Sequence, residues 1–533
     1  MSTLAVPLTG TRQLLHASLR HDGRLFAPWV AVVTVLSASS VLIYPFVFPD
    51  QSDRLALSAA IGANPALGLI FGPARDLSSV DGFNAWRSLA LGGFLVGLGA
   101  IFAVVRATRA QEDSGQAELL ASGVMGRSSR LMSGVGIALL GSVAAGVVAG
   151  VVTVLCGGAL ETSLLLGATF TATGWMFASV AAVTAQLGGD ARTAGSLAVG
   201  TLGVLYVLRG FCTSLELPSW TIWANPLGWT LETRPASGDR WSPLLLALAF
   251  TVALVVVAFA LQGRRDFGQG SIAKRPGPGR GATRSTWRLA LRLNAPQAAT
   301  WTVAFAMLGV VFGYFVGSVE DLFSGEAGVQ QILASGATTP DELTAAFVRT
   351  ILSLVGIIAA VPGVQVLLKV RAEELADRVE PVMAGAVRRE RYYASNVLLA
   401  LAGSTVYVLL AGALVALLAS RADVGVTFAD VFLQAAATVP AVWTVVAVSV
   451  AVVGARPAAS LAAWVGVLLS FGLTLLGPTF GLDDWVLGIS PFWHVPAVTA
   501  ADPDWSGLGW ITVVTAALVA VGFAGFRRRD LAR

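Results

Sequence analysis

Twelve apolar runs set the narrowest limit on the fold of this chain. Roughly 20 helical residues cross the ~30 Å hydrocarbon core of a bilayer, and a helix pairs its own backbone groups there. With 533 residues, 55% of them hydrophobic and 12% charged, the chain is predicted to be an all-α polytopic membrane protein. The runs lie at 25–48, 84–106, 131–157, 163–187, 193–215 and 241–262, and at 297–318, 345–369, 395–420, 428–453, 458–478 and 507–527.

A charged segment after the second run recurs 262 residues later. Arg109–Ser129 and Arg371–Arg391 align without a gap, where chance predicts about one or two identities. The shared residues are Arg109 with Arg371, Ala110 with Ala372, Glu112 with Glu374, Glu118 with Glu380, Gly123 with Gly385 and Arg127 with Arg389. The fold is therefore expected to consist of two parallel six-helix repeats, each with an aqueous loop after its second span.

The repeat also predicts the domain organisation. Residues 1–262 form the first half, which begins with a basic amphipathic helix in the membrane interface. Residues 263–292 form a Gly-, Pro- and Arg-rich linker and a second interfacial helix, and residues 293–533 form the second half. Leu19-Arg20 aligns with Leu291-Arg292, so the duplication extends beyond the loop.

Each repeated loop is predicted to carry a short helix. Pro381 suits the first turn of a helix and Gly126 suits a helix end, so we expect helices at Leu119–Met125 and Pro381–Val387, within 118–126 and 380–388. Arg109 and Arg371 lie three residues before Glu112 and Glu374, the spacing at which opposite charges attract on a helix. A simple preference for basic cytoplasmic loops explains the arginines but not the glutamates. Docking of the loops against a partner explains both, with Glu118 and Glu380 in water.

Loop charges predict the orientation. Residues 263–295 hold eight Arg or Lys and one acid, whereas 319–345 and 479–506 hold acids and no basic residue. Because basic loops stay in the cytoplasm, both termini and both repeated loops are expected there. The arginines lie beside the apolar runs, where membrane topology already explains them, so nucleic-acid binding is not expected.

The sequence offers no chemistry of its own. It has no P-loop, its three histidines form no ligand cluster, and its two cysteines lie 56 residues apart. We expect no enzymatic activity, no metal and no cofactor in this chain.

Together these features resemble the type-2 permeases of ATP-binding-cassette exporters. The run R-x-x-E-x5-E-L-L-A-S-G-V-x-G-R from Arg109 to Arg127, with NPALGLIFGP at 64–73, is similar to fused actinobacterial permeases described as polyketide-antibiotic exporters. The resemblance covers essentially the whole chain and implies a bacterial inner-membrane location. It also implies two separate P-loop ATPase subunits that bind ATP and Mg and receive the loop helices. The residues then expected to couple to the ATPase are Arg109, Glu112, Glu118, Gly123, Arg127, Arg371, Glu374, Glu380, Gly385 and Arg389.

The resemblance further places the substrate path on the second and fifth spans of each half. The expected lining residues are Phe94, Phe102, Tyr206, Phe211, Trp464 and Phe471. Glu161, Arg209, Arg349 and Arg421 fall at the ends of apolar runs, so the path is expected to hold hydrophobic or amphipathic cargo such as antibiotics.

Two other transporter classes stay open. A proton-coupled secondary carrier also has twelve spans in two parallel halves, but it requires an ionisable group inside the membrane. An importer permease has a comparable coupling loop, whereas the short acidic outer loops offer no docking domain for a capture protein. An intramembrane enzyme would need a Ser/His or paired-Asp arrangement, which the sequence lacks.

Overall fold

The computed structural model describes residues 8–62, 68, 70–121, 126, 128–214, 217–265, 270–272, 285–317, 340–385, 387–422, 425–476, 482–500 and 502–530. The chain divides into two compact units, Met1–Gly277 and Pro278–Arg533. In the described residues, twelve helices are long and apolar enough to cross a membrane, six in each unit. The predicted all-α, twelve-span membrane fold is confirmed.

Among its described residues, unit 1 contains an N-terminal amphipathic helix, six helices long enough to span a membrane and four shorter ones. Its helices are α1 (Thr11–Asp22), α2 (Ala27–Val47), α3 (Gln51–Gly62), α4 (Val80–Val105), α5 (Gln116–Ala121), α6 (Ser129–Leu155), α7 (Leu160–Leu187), α8 (Ala191–Ser214), α9 (Trp220–Ala224), α10 (Pro226–Leu231) and α11 (Pro243–Arg264). Helix α4 continues through a π-helical stretch, Arg106–Ala110, into Gln111–Asp113.

Unit 2 repeats the order of spans with fewer short helices. Its helices are α12 (Thr286–Gly317), α13 (Pro340–Leu375), α14 (Glu380–Met383), α15 (Arg389–Ala419), α16 (Phe428–Ala455), α17 (Val465–Phe471), α18 (Asp484–Leu487) and α19 (Ser506–Arg528). The fifth span is broken into a 3-10 segment, Pro457–Trp464, then α17, then a π-helical stretch, Gly472–Leu476. The apolar run predicted at 458–478 overlaps this span but does not reveal the break, and residues 477 and 478 lie outside the described part of the chain.

The second and fourth spans form the centre of each unit. In unit 1, α7 packs against α4, α6, α8 and α11; in unit 2, α16 packs against α13, α15, α17 and α19. These second and fourth spans are also the most buried of the twelve. The second span of each unit is therefore in direct contact with the fourth.

Small residues bring the fourth and sixth spans of unit 2 together. A Cβ added to Gly454 would lie 2.1 Å from the carbonyl oxygen of Gly522, and one added to Gly525 would lie 2.5 Å from the Cα of Ala455. Close backbone approach through small residues is a common way for membrane helices to associate. The contact places the end of α19 beside the end of α16.

The two interfacial helices differ. In unit 1, α1 ends at Asp22 and a 3-10 turn, Gly23–Phe26, separates it from the first span. In unit 2 the predicted interfacial helix and the first span form one continuous helix, α12. The alignment of the repeats puts Ala295 where unit 1 has Gly23, and Ala favours helix continuation while Gly does not.

Residues 70–79 of unit 1 form hydrogen bonds with α4 and with the segment that follows α10. The Trp86 indole donates to Gly72 O (3.1 Å), and Arg75 Nη2 donates to Glu232 Oε1 (2.9 Å). Burial raises the pKa of Glu232, but hydrogen bonds from Arg75 and Arg234 lower it more, so its pKa lies below the ordinary value. The Glu232 carboxylate is therefore ionised at neutral pH and holds the segment.

Candidate functional site

The two repeated loops turn the chain in the same way after the second span. Gly115 has a φ of +75°, and Asp377, its counterpart, has a φ of +54°. The Gly115 N–H donates to Glu112 O (3.2 Å), and the Asp377 N–H donates to Glu374 O (3.0 Å). Asp is among the few side chains that tolerate this left-handed conformation. The sequence change from Gly to Asp therefore leaves the turn intact.

Each turn leads into a short helix whose glutamate is exposed. Helix α5 begins at Gln116 and α14 begins at Glu380, so both begin earlier than predicted, and α14 ends at Met383 rather than Val387. Glu118 and Glu380 are exposed, while Ala117 and Val379 beside them are buried. The buried neighbour explains the early start, because it fixes the first turn against the unit. Gly123 and Arg127 lie outside the described residues.

The Glu112 cluster lies directly before the first loop helix. Glu112 is 4% exposed and accepts hydrogen bonds from three arginines on different spans. Arg109 Nη1 lies 2.7 Å from Oε2, Arg265 Nη2 lies 3.0 Å from Oε1, and Arg130 Nη2 also bonds Oε1. Arg109 also donates to Ala185 O, and Arg265 Nε donates to Gln186 Oε1 (2.7 Å). One carboxylate thus joins the ends of the second, third, fourth and sixth spans.

The Glu374 cluster repeats this arrangement in unit 2. Glu374 is fully buried and accepts from Arg371 Nη1 (3.3 Å) and Arg529 Nη2 (2.6 Å). Arg529 follows the sixth span, as Arg265 does, and its Nε donates to Gly454 O (3.0 Å) at the end of the fourth. Arg389 Nη1 in turn donates to the Arg529 carbonyl (3.1 Å). The repeat therefore preserves a buried acid that holds the second span to the fourth and sixth.

These clusters correct one expectation about the loop residues. Arg109, Glu112 and Glu374 were expected in an aqueous loop, yet Arg109 is 1% exposed and both glutamates are buried. They are therefore positioned to hold the loop helices on the spans rather than to contact a partner. Among the described coupling candidates, Glu118, Glu380, Gly385 and Arg389 are exposed and Arg371 is half-buried.

The first loop has two further attachments. The Asp113 carboxylate accepts from the N–H of Ala191 (2.7 Å) at the start of the fifth span, a favourable place for an acid. The Gly126 N–H donates to Thr9 O (2.9 Å) in the N-terminal segment. In unit 2, Leu375 stands at the position of Asp113 and is exposed. Helix α5 is therefore connected to the fifth span in a way that α14 is not.

A substitution at Gly115 tests the turn. A Cβ at Gly115 meets no atom within 4 Å, so Gly115→Ala introduces only the left-handed backbone cost, about 1 kcal/mol. We expect a small fall in melting temperature of the purified permease. Gly263→Ala is the control, because its Cβ is also unobstructed but its backbone is helical. Equal melting temperatures for the two variants would contradict the positive φ.

The expected path residues are only partly brought together. Phe94 and Tyr206 pack edge-on with ring centroids 5.0 Å apart, joining the second and fifth spans of unit 1. Phe102 packs instead against Trp29 of the first span (6.0 Å) and is largely exposed. Phe211 and Phe471 are exposed, and Trp464 is packed against the core of unit 2. Within a unit, only the Phe94–Tyr206 pair has the expected contact.

Arg209 is buried near the end of the fifth span of unit 1. The apolar span ends at Thr213 and helix α8 ends at Ser214, and the Arg209 residue is 3% exposed. The expected place near the end of an apolar run is therefore kept, but the side chain is buried there. In the described spans every Asp and Glu still lies within four residues of a span end. The buried charge inside the fifth span is thus a cation.

Similarity to known proteins extends across both units. A family model described as "Multidrug efflux system permease Rv1217c, C-terminal domain" matches residues 55–261 and 284–527. The chain is 36% identical over 530 residues to the multidrug efflux system permease protein Rv1217c of Mycobacterium tuberculosis (strain ATCC 25618 / H37Rv). That alignment covers 98% of this chain and 95% of the relative.

Proposed function

We propose that this chain, which belongs to the multidrug efflux system permease family of Rv1217c, is the transmembrane permease subunit of an ATP-binding-cassette exporter of the type-2 class. Its twelve spans supply the path through the bilayer. Two separate P-loop ATPase subunits bind ATP and Mg and supply the force. The chain itself hydrolyses nothing.

The proposal rests on how the two loop helices, α5 and α14, are attached to the spans. Each presents an exposed glutamate, Glu118 or Glu380, and each follows a buried glutamate that joins several spans. A partner that binds the exposed glutamate can displace the second span. Arg265 and Arg529 would transmit this displacement to the fourth and sixth spans. This is the mechanical connection that a permease driven from outside the membrane requires.

The charges of the spans favour an external energy source over proton coupling. A proton relay uses carboxylates or histidines inside the membrane. In the described spans the acids lie near the ends, and Glu112 and Glu374 form ion pairs with arginines. Arginine does not release its proton in proteins. Arg209 therefore offers no replacement for the missing acid.

Cargo and direction follow from the spans and from the family. The spans are rich in Val, Leu, Ala and Phe, which favours hydrophobic or amphipathic compounds such as antibiotics. Such compounds enter the bilayer unaided, so a pump is useful for expelling them. The basic linker and the Arg527–Arg529 tail favour a bacterial inner-membrane location with both termini in the cytoplasm.

Purification tests the partnership. A tagged permease expressed with its ATPase is expected to co-purify with two copies of a P-loop subunit, and the complex is expected to hydrolyse ATP. The permease alone is expected to show no ATP turnover. In proteoliposomes, drug efflux should require ATP and stop with vanadate. Efflux that ignores vanadate but stops with a protonophore would replace this proposal with a secondary carrier.

A further inference from the structure

Arg209 is a buried cation that faces no carboxylate among the described residues. It lies near the end of the fifth span of unit 1 and is 3% exposed. In the described part of the chain, its guanidinium interacts with Tyr206 and a backbone carbonyl. A charged side chain inside a membrane span is expensive and usually functional. An anionic group on a bound molecule would compensate this charge.

The contacts of Arg209 leave its buried Nε donor unused. Its Nη2 donates to Ile70 O (2.7 Å), and its guanidinium carbon lies 4.3 Å from the ring centroid of Tyr206. The Tyr206 hydroxyl donates to the same carbonyl (2.6 Å), so both lone pairs of Ile70 O are engaged. Arg209 Nε is buried and has no hydrogen-bond partner. It can satisfy its donor only with an acceptor from outside the described chain.

The surroundings of this donor are aromatic. Phe94 packs edge-on against Tyr206, and Asn225 Nδ2 donates to Leu205 O (2.8 Å), which fixes the helix one residue before Tyr206. An aromatic wall beside a single fixed cation complements a molecule with an apolar body and one acidic group.

Two contrasts separate Arg209 from the structural arginines. Arg109 is also buried and Arg529 is partly buried, but each is paired with a glutamate at a span end. The fifth span of unit 2, residues 457–476, contains no charged residue at all. A cation at this place is therefore not needed to build a fifth span.

We propose that Arg209 binds the anionic group of amphipathic cargo. The inference rests on the proposed exporter function and refines its cargo class. A carboxylate or sulfonate oxygen accepts a charge-assisted hydrogen bond from the Arg209 guanidinium, and the apolar part of the ligand lies against Phe94 and Tyr206. Among compounds with the same apolar body, this permease prefers the one that carries an acid.

A matched pair of dyes tests this preference. Anilinonaphthalene sulfonate and phenylnaphthylamine share their rings, and only the first carries an anion. Binding of each is measured by fluorescence with the wild-type permease in nanodiscs of uncharged lipid. The wild type is expected to bind the sulfonate more tightly. Equal binding, or a preference for the neutral dye, would overturn the proposal before any substitution is made.

Arg209→Gln then assigns the preference to one side chain. Gln keeps a donor for Ile70 O but removes the charge, so sulfonate binding should weaken about tenfold while phenylnaphthylamine binding stays unchanged. Arg209→Lys should retain part of the preference, and it provides a charged variant if the glutamine variant does not fold. Arg87→Gln is the control, because Arg87 donates to Ser40 Oγ (3.0 Å) in another span. Equal weakening of both dyes would make Arg209 a structural anchor only.

Transport separates this inference from the exporter proposal. ATP-dependent pumping of phenylnaphthylamine by the reconstituted complex, with no selectivity for the sulfonate, would reject the anion site and leave the exporter in place. An Arg209-dependent preference for the sulfonate, with no ATP-dependent transport of either dye, would reject the exporter and leave the binding site.

Discussion

Glu112→Gln is expected to lower the thermal stability of the permease more than any other single change considered. It removes the carboxylate that faces Arg109, Arg130 and Arg265, and leaves three guanidiniums close together with little water. Removing one partner of a buried ion pair costs about 3–5 kcal/mol. The measurement is the melting temperature of the purified protein in detergent.

Glu118→Ala is the matched control. Glu118 lies six residues further along the same loop but is exposed, so its loss should change the stability by no more than about 0.5 kcal/mol. Glu374→Gln should also be costly, since Arg371 and Arg529 lose their acid. Equal melting temperatures for Glu112→Gln and Glu118→Ala would show that the Glu112 cluster does not stabilise the protein.

Simultaneous replacement of Glu118 and Glu380 by Ala is expected to reduce drug efflux and transport-linked ATP hydrolysis about tenfold or more. Each change removes an exposed anion available for a charge-assisted hydrogen bond to the proposed ATPase subunit, and such bonds contribute about 1.5–3 kcal/mol. The fold should survive, because neither carboxylate is buried. Efflux from cells and ATP turnover by the complex are measured together with membrane expression.

Single variants rank the two loop helices. Glu118→Ala should matter at least as much as Glu380→Ala, because Asp113 also connects the first loop to the fifth span. Glu161→Ala, an exposed acid at the start of the fourth span, serves as the control and should leave efflux unchanged. Wild-type efflux by the double variant would mean that the charges of the loops serve only to set the orientation of the chain in the membrane.

The repeat predicts part of the site. It pairs Arg109 with Glu112 and Arg371 with Glu374, and the structure shows both ion pairs. The repeat also places Arg265 and Arg529 directly after a sixth span, but their spacing does not indicate what they bind. Their partners lie 153 and 155 residues earlier in the chain, beyond the reach of any helical spacing.

The sequence by itself determined the class of the protein and the course of the chain through the bilayer. The twelve spans and the efflux-permease class are confirmed, because apolar length is a local property and family similarity spans the whole chain. Only the tertiary structure decided which charges are buried and what they bind. Glu112 and Glu118 are both acids in one short loop, yet one joins four spans and the other faces outward. That difference depends on which helix ends meet, and hydropathy carries no information about helix neighbours.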